Sequence, residues 1–279
     1  MSTWGSTLSC QEFAAIASVG FVPVGQVFGA AVYSAGAASA ASCPGAPGSS
    51  EGGLPARSAA QVTGRGDAGG LGPLVEAVYQ ARQTAVDRMT AECAALGGHG
   101  VVGVRLPRGL FSLGGLEFTA IGTAVRAADA AGLRVPFTSA LSGQDFARLI
   151  TAGWVPAGLV LGTAIGLRHD DRATYRQARP WKGNAEIAGW TELVNQTRQE
   201  ARRRLEQDVQ RLGAEGVVTA DMRMRVRERD CPAAPGRRDH IVEVTLIGTA
   251  IASFARAAHR HAGLPLTIMP LGTRRRQAT

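Results

Sequence analysis

Aromatic residues make up only 5% of the 279 positions, and lysine is nearly missing, Lys182 being the only one. A core built from this chain must therefore come from Ala, Val, Leu and Ile, which the 45% apolar content supplies. Charged residues reach 19%, below the roughly one quarter that is usual. The apolar stretch of residues 153–167 contains Pro156 and falls short of the roughly 20 residues a bilayer-spanning helix needs. The N-terminus lacks the basic segment and apolar run of a secretory leader. No two of Cys10, Cys43, Cys93 and Cys231 are spaced as a CxxC pair, so free thiols in a reducing cytoplasm are expected. A phosphate-cradling P-loop is excluded, because the P-loop glycine spacing does not precede Lys182. The Gly-x-Ser-x-Gly pattern at residues 48–52 lies in a stretch rich in Ala, Gly, Ser and Pro, without the strand-to-helix turn that a nucleophile elbow needs.

An excess of positive charge and abundant glycine are present. The net charge is +8, and five of its arginines, Arg256, Arg260, Arg274, Arg275 and Arg276, lie in a C-terminal stretch without acids. That tail is the one place where composition suggests contact with nucleic acid or an acidic partner. The 36 glycines predict many turns. Residues 35–72, rich in Ala, Gly, Ser and Pro without apolar periodicity, read as a flexible loop.

The chain repeats itself. Leu8-Ser-Cys-Gln-Glu-Phe returns as Leu141-Ser-Gly-Gln-Asp-Phe, and Gly20-Phe-Val-Pro-Val-Gly as Gly153-Trp-Val-Pro-Ala-Gly, both at an offset of 133. Arg82, Ala85, Arg88, Leu96, Gly97, Gly100, Val101 and Val102 match Arg198, Ala201, Arg204, Leu212, Gly213, Gly216, Val217 and Val218 at an offset of 116. Ile121-Gly-Thr-Ala returns as Ile247-Gly-Thr-Ala at 126. Three collinear blocks indicate a duplication with loops of different length.

Each copy reads as strand, helix, strand, strand. The first strands are expected near 22–32 and 155–167, each preceded by a short helix with a Ser N-cap and an acid at the third helical position, Glu12 or Asp145. The main helices run near 74–96 and 190–212. Leu74, Val78, Ala81, Ala85, Met89, Cys93 and Leu96 form an apolar stripe in the first, and Leu-Gly stops close both. Strands follow near 101–106 and 217–226, then near 117–126 and 240–251. The glycines of Gly25-Gln-Val-Phe-Gly29 fall inside a strand pattern, which points to close backbone approach.

These blocks resemble the YbjQ-like family, known by the label of heavy-metal-binding proteins. Its pattern is a strand with spaced glycines, a helix that begins near Ala-Arg and ends in Leu-Gly, a Val-Val-Gly-Val strand and a closing Gly-Thr-Ala strand. Here it stands as Ala81-Arg82, Leu96-Gly, Val101-Val-Gly-Val104 and Gly122-Thr-Ala-Val125, then as Arg198, Leu212-Gly, Val217-Val218 and Gly248-Thr-Ala-Ile251. The second copy departs at Thr197 and Thr219. The resemblance implies an α+β fold of tandem β-α-β-β modules, each a helix on a small antiparallel sheet, assembling into homo-oligomeric rings. The modules would span 1–128 and 137–255, with a linker at 129–136 and a basic tail at 256–279. The function it implies is non-enzymatic: an oligomeric binding or scaffold protein. A nucleic-acid or acidic-partner binder acting through the Arg-rich tail with Arg274, Arg275 and Arg276 is the alternative, and an enzyme with an interface site a weaker one.

Candidate metal ligands are His99, Cys231, His240 and His169, the last followed by Asp170 and Asp171. A divalent soft metal would need three or four of these to converge. The plainer readings are a solvated loop polar for His99, a charged loop for His169 and a loop thiol for Cys231. Cys93 sits on the apolar stripe and reads as an inert buried thiol. Arg82 and Arg198 recur off the stripe, as candidates for subunit interfaces against simple solvation.

Overall fold

The computed structural model describes residues 5–34, 60–65, 71–110, 115–128, 135–179, 181, 183–231 and 236–254. The basic tail and most of the 35–72 segment lie outside these.

The first copy runs α1 (Cys10–Ser18), β1 (Phe21–Ser34), β2 (Gln61–Thr63), α2 (Gly72–Ala95), β3 (Gly100–Arg105), β4 (Arg108–Leu110) and β5 (Gly115–Ala127). The second runs β6 (Phe137–Thr138), α3 (Gly143–Thr151), β7 (Trp154–His169), α4 (Arg172–Gln177), α5 (Ala188–Arg211), β8 (Gly216–Asp230) and β9 (Arg238–Ser253). The architecture is α+β, with a long helix lying on an antiparallel core of strands in each half.

Local chemistry accounts for the boundaries. Ser9 caps α1 in a full capping box with Glu12, whose side chain accepts the Ser9 N–H at 2.8 Å. Ser142 caps α3 through the Asp145 N–H, but Asp145 turns to the Ser142 hydroxyl rather than its backbone. Gly97 and Gly213, in the left-handed region at φ 69° and 63°, end the turns after α2 and α5.

Helix and sheet meet at glycine. A Cβ built on Gly29 would lie 2.0 Å from the Ala85 carbonyl oxygen, and one on Gly162 would lie 2.1 Å from that of Ala201. The expected close approach is therefore between strand and helix backbones. Two acids lock it: Glu92 accepts the Phe28 N–H at 2.6 Å, and Asp208, the same position in the other copy, accepts the Leu161 N–H at 3.3 Å.

The sheets do not respect the repeat boundary. The first has the order β1-β5-β3-β6, with β4 also on β5, and the second β2-β7-β9-β8. Thus β6, from the second copy, pairs in parallel with β3, while β2, from the first, pairs with β7. Gln61–Thr63 was expected to be flexible loop. Its one apolar residue, Val62, gives no periodicity to read, and its order comes from the open edge of β7.

Helix α2 buries more of its circumference than one stripe. Val75, Tyr79, Arg82 and Val86 are buried beside Val78, Ala85, Met89 and Cys93. The extra residues meet the second sheet: Leu161, Ile165, Leu167 and Ile247 join the same apolar cluster. The opposite face of that sheet, through Val160, Ala164, Val242, Val244 and Leu246, packs on α5. A third cluster joins β6 and α3 to the first sheet, with Phe146 stacked on Phe137 at 5.6 Å and edge-on to Phe21 at 5.0 Å.

Candidate functional site

Two places gather chemistry. The first is the junction between the halves. Arg82 reaches from α2 into the second sheet and donates to Thr163 Oγ1 (2.8 Å) and Thr245 Oγ1 (3.4 Å), with its guanidinium 5.7 Å from the Phe118 ring centre. Its Nε is buried without a partner. Burial pulls its pKa down to about 10 against the opposing pull of Glu243, so it keeps its charge at neutral pH. Beside it Arg108 holds Glu243 with both terminal nitrogens, a bidentate pair across the junction. Tyr79 donates to the Leu161 carbonyl and accepts the Thr163 N–H at 2.7 Å. Desolvation pushes its hydroxyl up to about 12. Arg198, the counterpart of Arg82, is exposed.

The second place is the far end of the β7–β9 strand pair. The register sets Arg168 opposite His240 and His169 opposite Asp239. Asp239 is fully buried and accepts from His169 Nδ1 (3.0 Å) and Arg229 Nε (3.2 Å). Asp170 accepts from Trp190 Nε1 (3.0 Å) and pairs with His240 Nδ1 (3.1 Å), whose Nε2 lies 3.2 Å from Glu228. Trp190 packs on the His240 ring, 4.4 Å between centres. Burial opposes charge on His240, but the Asp170 hydrogen bond with the charges of Asp170 and Glu228 outweighs it, and its pKa is raised. Asp170 moves the other way: burial works against its charge, and the His240 and Trp190 hydrogen bonds win, lowering its pKa. Asp171 caps α4 through the Thr174 N–H at 2.7 Å.

The remaining sequence candidates separate. His99 is half-buried rather than solvated, because its Nδ1 accepts the Ala127 N–H at 3.2 Å and ties off β5. Glu215 does the same for β9, accepting the Ser253 N–H at 3.0 Å. Cys93 is buried, with its thiol raised to about 11 by desolvation. Cys231 is buried too, not an open loop thiol. The His169–Asp170–Asp171 segment, read as a charged loop, is an internal network. No signal in the sequence marked Asp239 or Trp190, since their roles depend on cross-strand register.

A family model described as "Putative heavy-metal-binding" matches residues 62–128 and 155–253, more than half of the chain. The chain belongs to this YbjQ-like family, in two tandem copies. It is also 36% identical over 220 residues to the encapsulin nanocompartment protein Rv1762c of Mycobacterium tuberculosis, covering 76% of this chain and 75% of that one. No solved structure matches. Among the described residues no helix is long and apolar enough to cross a membrane.

The YbjQ-like label raises the question of a metal. Ligand atoms of His169, Cys231 and Asp239 lie within 4.8 Å of one another, and nitrogen, sulfur and oxygen donors suit a soft divalent ion. The charge does not fit. Arg229 already neutralises Asp239, and a cation would displace that guanidinium or the His169 hydrogen bond. At the first-copy positions matching His169 and Asp239 stand Gly36 and Leu113, and Cys231 lies where the second copy is longer by the change of offset from 116 to 126, so the trio belongs to one module alone. The site is a satisfied polar network rather than a resident metal centre.

Proposed function

We propose that this YbjQ-like chain is a non-enzymatic scaffold that assembles with copies of itself into a closed oligomer. The observation that carries this is an uncovered sheet face. Leu161 and Ile165 of β7 are 6% and 4% exposed under α2, whereas Phe28 and Val32, their counterparts on β1, are each 49% exposed. An apolar face whose duplicate is buried within the chain is a contact surface, and closed symmetry is the usual way to cover it. The similarity to a nanocompartment protein supports the same reading. The free thiols of Cys10, Cys93 and Cys231 suit a reducing cytoplasm.

Mass from light scattering at micromolar concentration tests it: the native chain should run as a defined multiple of its own mass. A well-folded monomer would refute the scaffold.

A second reading has its own observation. Arg172, Arg176, Arg179 and Arg237 line an open cleft of about 560 Å³ with Tyr175, and Arg179 stacks over Tyr175 and Trp181. Cations interleaved with aromatics suit a single-stranded nucleic acid or acidic peptide. Binding of a labelled oligonucleotide should then fall steeply with salt and disappear in Arg176→Glu with Arg179→Glu. Binding by that variant equal to native would reject it.

A further inference from the structure

The internal junction is a template whose two sides both recur on the outside of the chain. On the acceptor side, β3 takes β6: Phe137 N–H donates to the His99 carbonyl (3.1 Å) and Ser139 N–H to that of Val101 (2.8 Å). The Phe137 ring lies so close over Gly100 that an added Cβ would sit 2.2 Å from it. Val102 beneath is wholly buried. The same strand position in the second copy is bare. At Gly216 an added Cβ meets nothing nearer than Ile251 at 3.5 Å, and Val218 is 37% exposed. Strand β8 is the last of its sheet.

The donor side recurs as well. Residues 6–8 already hold the shape of residues 139–141. Ser6 and Thr7 bind Thr123 (Thr7 N–H to Oγ1, 3.2 Å) and Leu8 N–H donates to Ser6 Oγ (3.0 Å). Likewise Ser139 and Ala140 bind Thr249, with Ala140 N–H at 2.9 Å, and Leu141 N–H donates to Ser139 Oγ at 3.2 Å. Yet Phe146 is fully buried and its counterpart Phe13 is 42% exposed.

We propose that Gly5–Leu8 and Phe13 of one chain dock on Gly216–Val218 of a second copy, repeating between chains the contact that β6 and α3 make with β3 inside each. This rests on the scaffold reading and names its contact. The Ser6 N–H of the neighbour donates to the Val217 carbonyl, and Phe13 covers Val218. Because donor and acceptor are different surfaces, the contact is head-to-tail, and every chain offers one of each. Arg198 then sits where Arg82 sits, facing the sheet of the next chain. The match ends after Val218: Gly103 adopts φ 65° and Thr219 replaces it. Cys10 replaces Gly143, which packs against Glu12, so the helix pair stands wider between chains.

The internal register pairs Val101 with Thr138, which translates to Val217 and Gly5 of different chains. The full-length double variant Gly5→Cys, Val217→Cys, oxidised and run on a denaturing gel without reductant, should give a ladder of linked chains. Each single variant should show no such ladder. Phe13→Asp and Val218→Asp should each reduce the light-scattering mass to that of one chain, with the far-ultraviolet circular dichroism of native protein. An oligomeric native chain with no ladder, and with both Asp variants still at native mass, overturns this contact while leaving the scaffold standing. A monomeric native chain overturns both.

Discussion

Gly29→Ala tests whether the backbone contact between β1 and α2 limits the fold. The added methyl would lie 2.0 Å from the Ala85 carbonyl oxygen and 2.6 Å from the Met89 nitrogen, where ordinary contact begins at 3.4 Å. The obstacle is helix backbone, so no rotamer change relieves it, and α2 must retreat by about 1.4 Å at that turn. Overpacking of this kind costs about 1–3 kcal/mol, and a rigid obstacle puts the cost near the upper end. The stiffer unfolded chain returns about 0.4–1 kcal/mol, leaving a net loss of about 2 kcal/mol. For a chain of this size that is roughly 4–8 °C in melting temperature. The repeat supplies its own replicate: Gly162→Ala faces the Ala201 oxygen at 2.1 Å and should lose a similar amount. Thermal melts at one fixed protein concentration would measure both. Either variant melting within 1 °C of native would refute the claim that close approach is why glycine stands there.

The His240 network makes stability depend on pH. A raised histidine pKa contributes stability in full below its ordinary value of 6.5 and loses it as pH rises through the folded value. The lowered Asp170 contributes above its ordinary 3.8 and loses it only in stronger acid. The urea midpoint of native protein should therefore fall between pH 6 and pH 8 by more than that of His240→Gln, and parallel midpoints would contradict the assignment. Elemental analysis after dialysis against a mild chelator should find well under one metal per chain, because Arg229 holds the Asp239 carboxylate. One equivalent retained, and lost in Cys231→Ser, would show that the trio binds metal.

Most elements could be read from the sequence because they rest on local chemistry that the duplication states twice. Ser9 with Ser142, the Leu-Gly stops, and Gly29 with Gly162 each fix their element within a few residues. What escaped was decided at long range. Val75, Tyr79 and Val86 sit beside the visible stripe of α2 and look like ordinary helix surface until the second sheet arrives. Arg82 stood out as a repeated arginine, but its burial against Thr163 and Thr245 follows from that same packing. His99 read as a solvated loop polar, and only the ends of β5 and β9 reveal that it and Glu215 do one task with two chemistries. The network at the end of the β7–β9 pair was invisible because buried and solvated Asp residues look alike until register pairs them.

The crossing of β2 and β6 between the sheets has a consequence for how this protein could have arisen and how it can be divided. The segment that was copied and the segment that folds are out of phase by a strand. A gene cut at the repeat boundary would yield a first half without Phe137 over Gly100 and a second half without Gln61–Thr63 along β7. Each fragment would carry a gap shaped like a piece of the other. The duplication therefore did more than place two finished domains on one chain. It made each half the completing part of its sibling, and neither is now a free-standing ancestor.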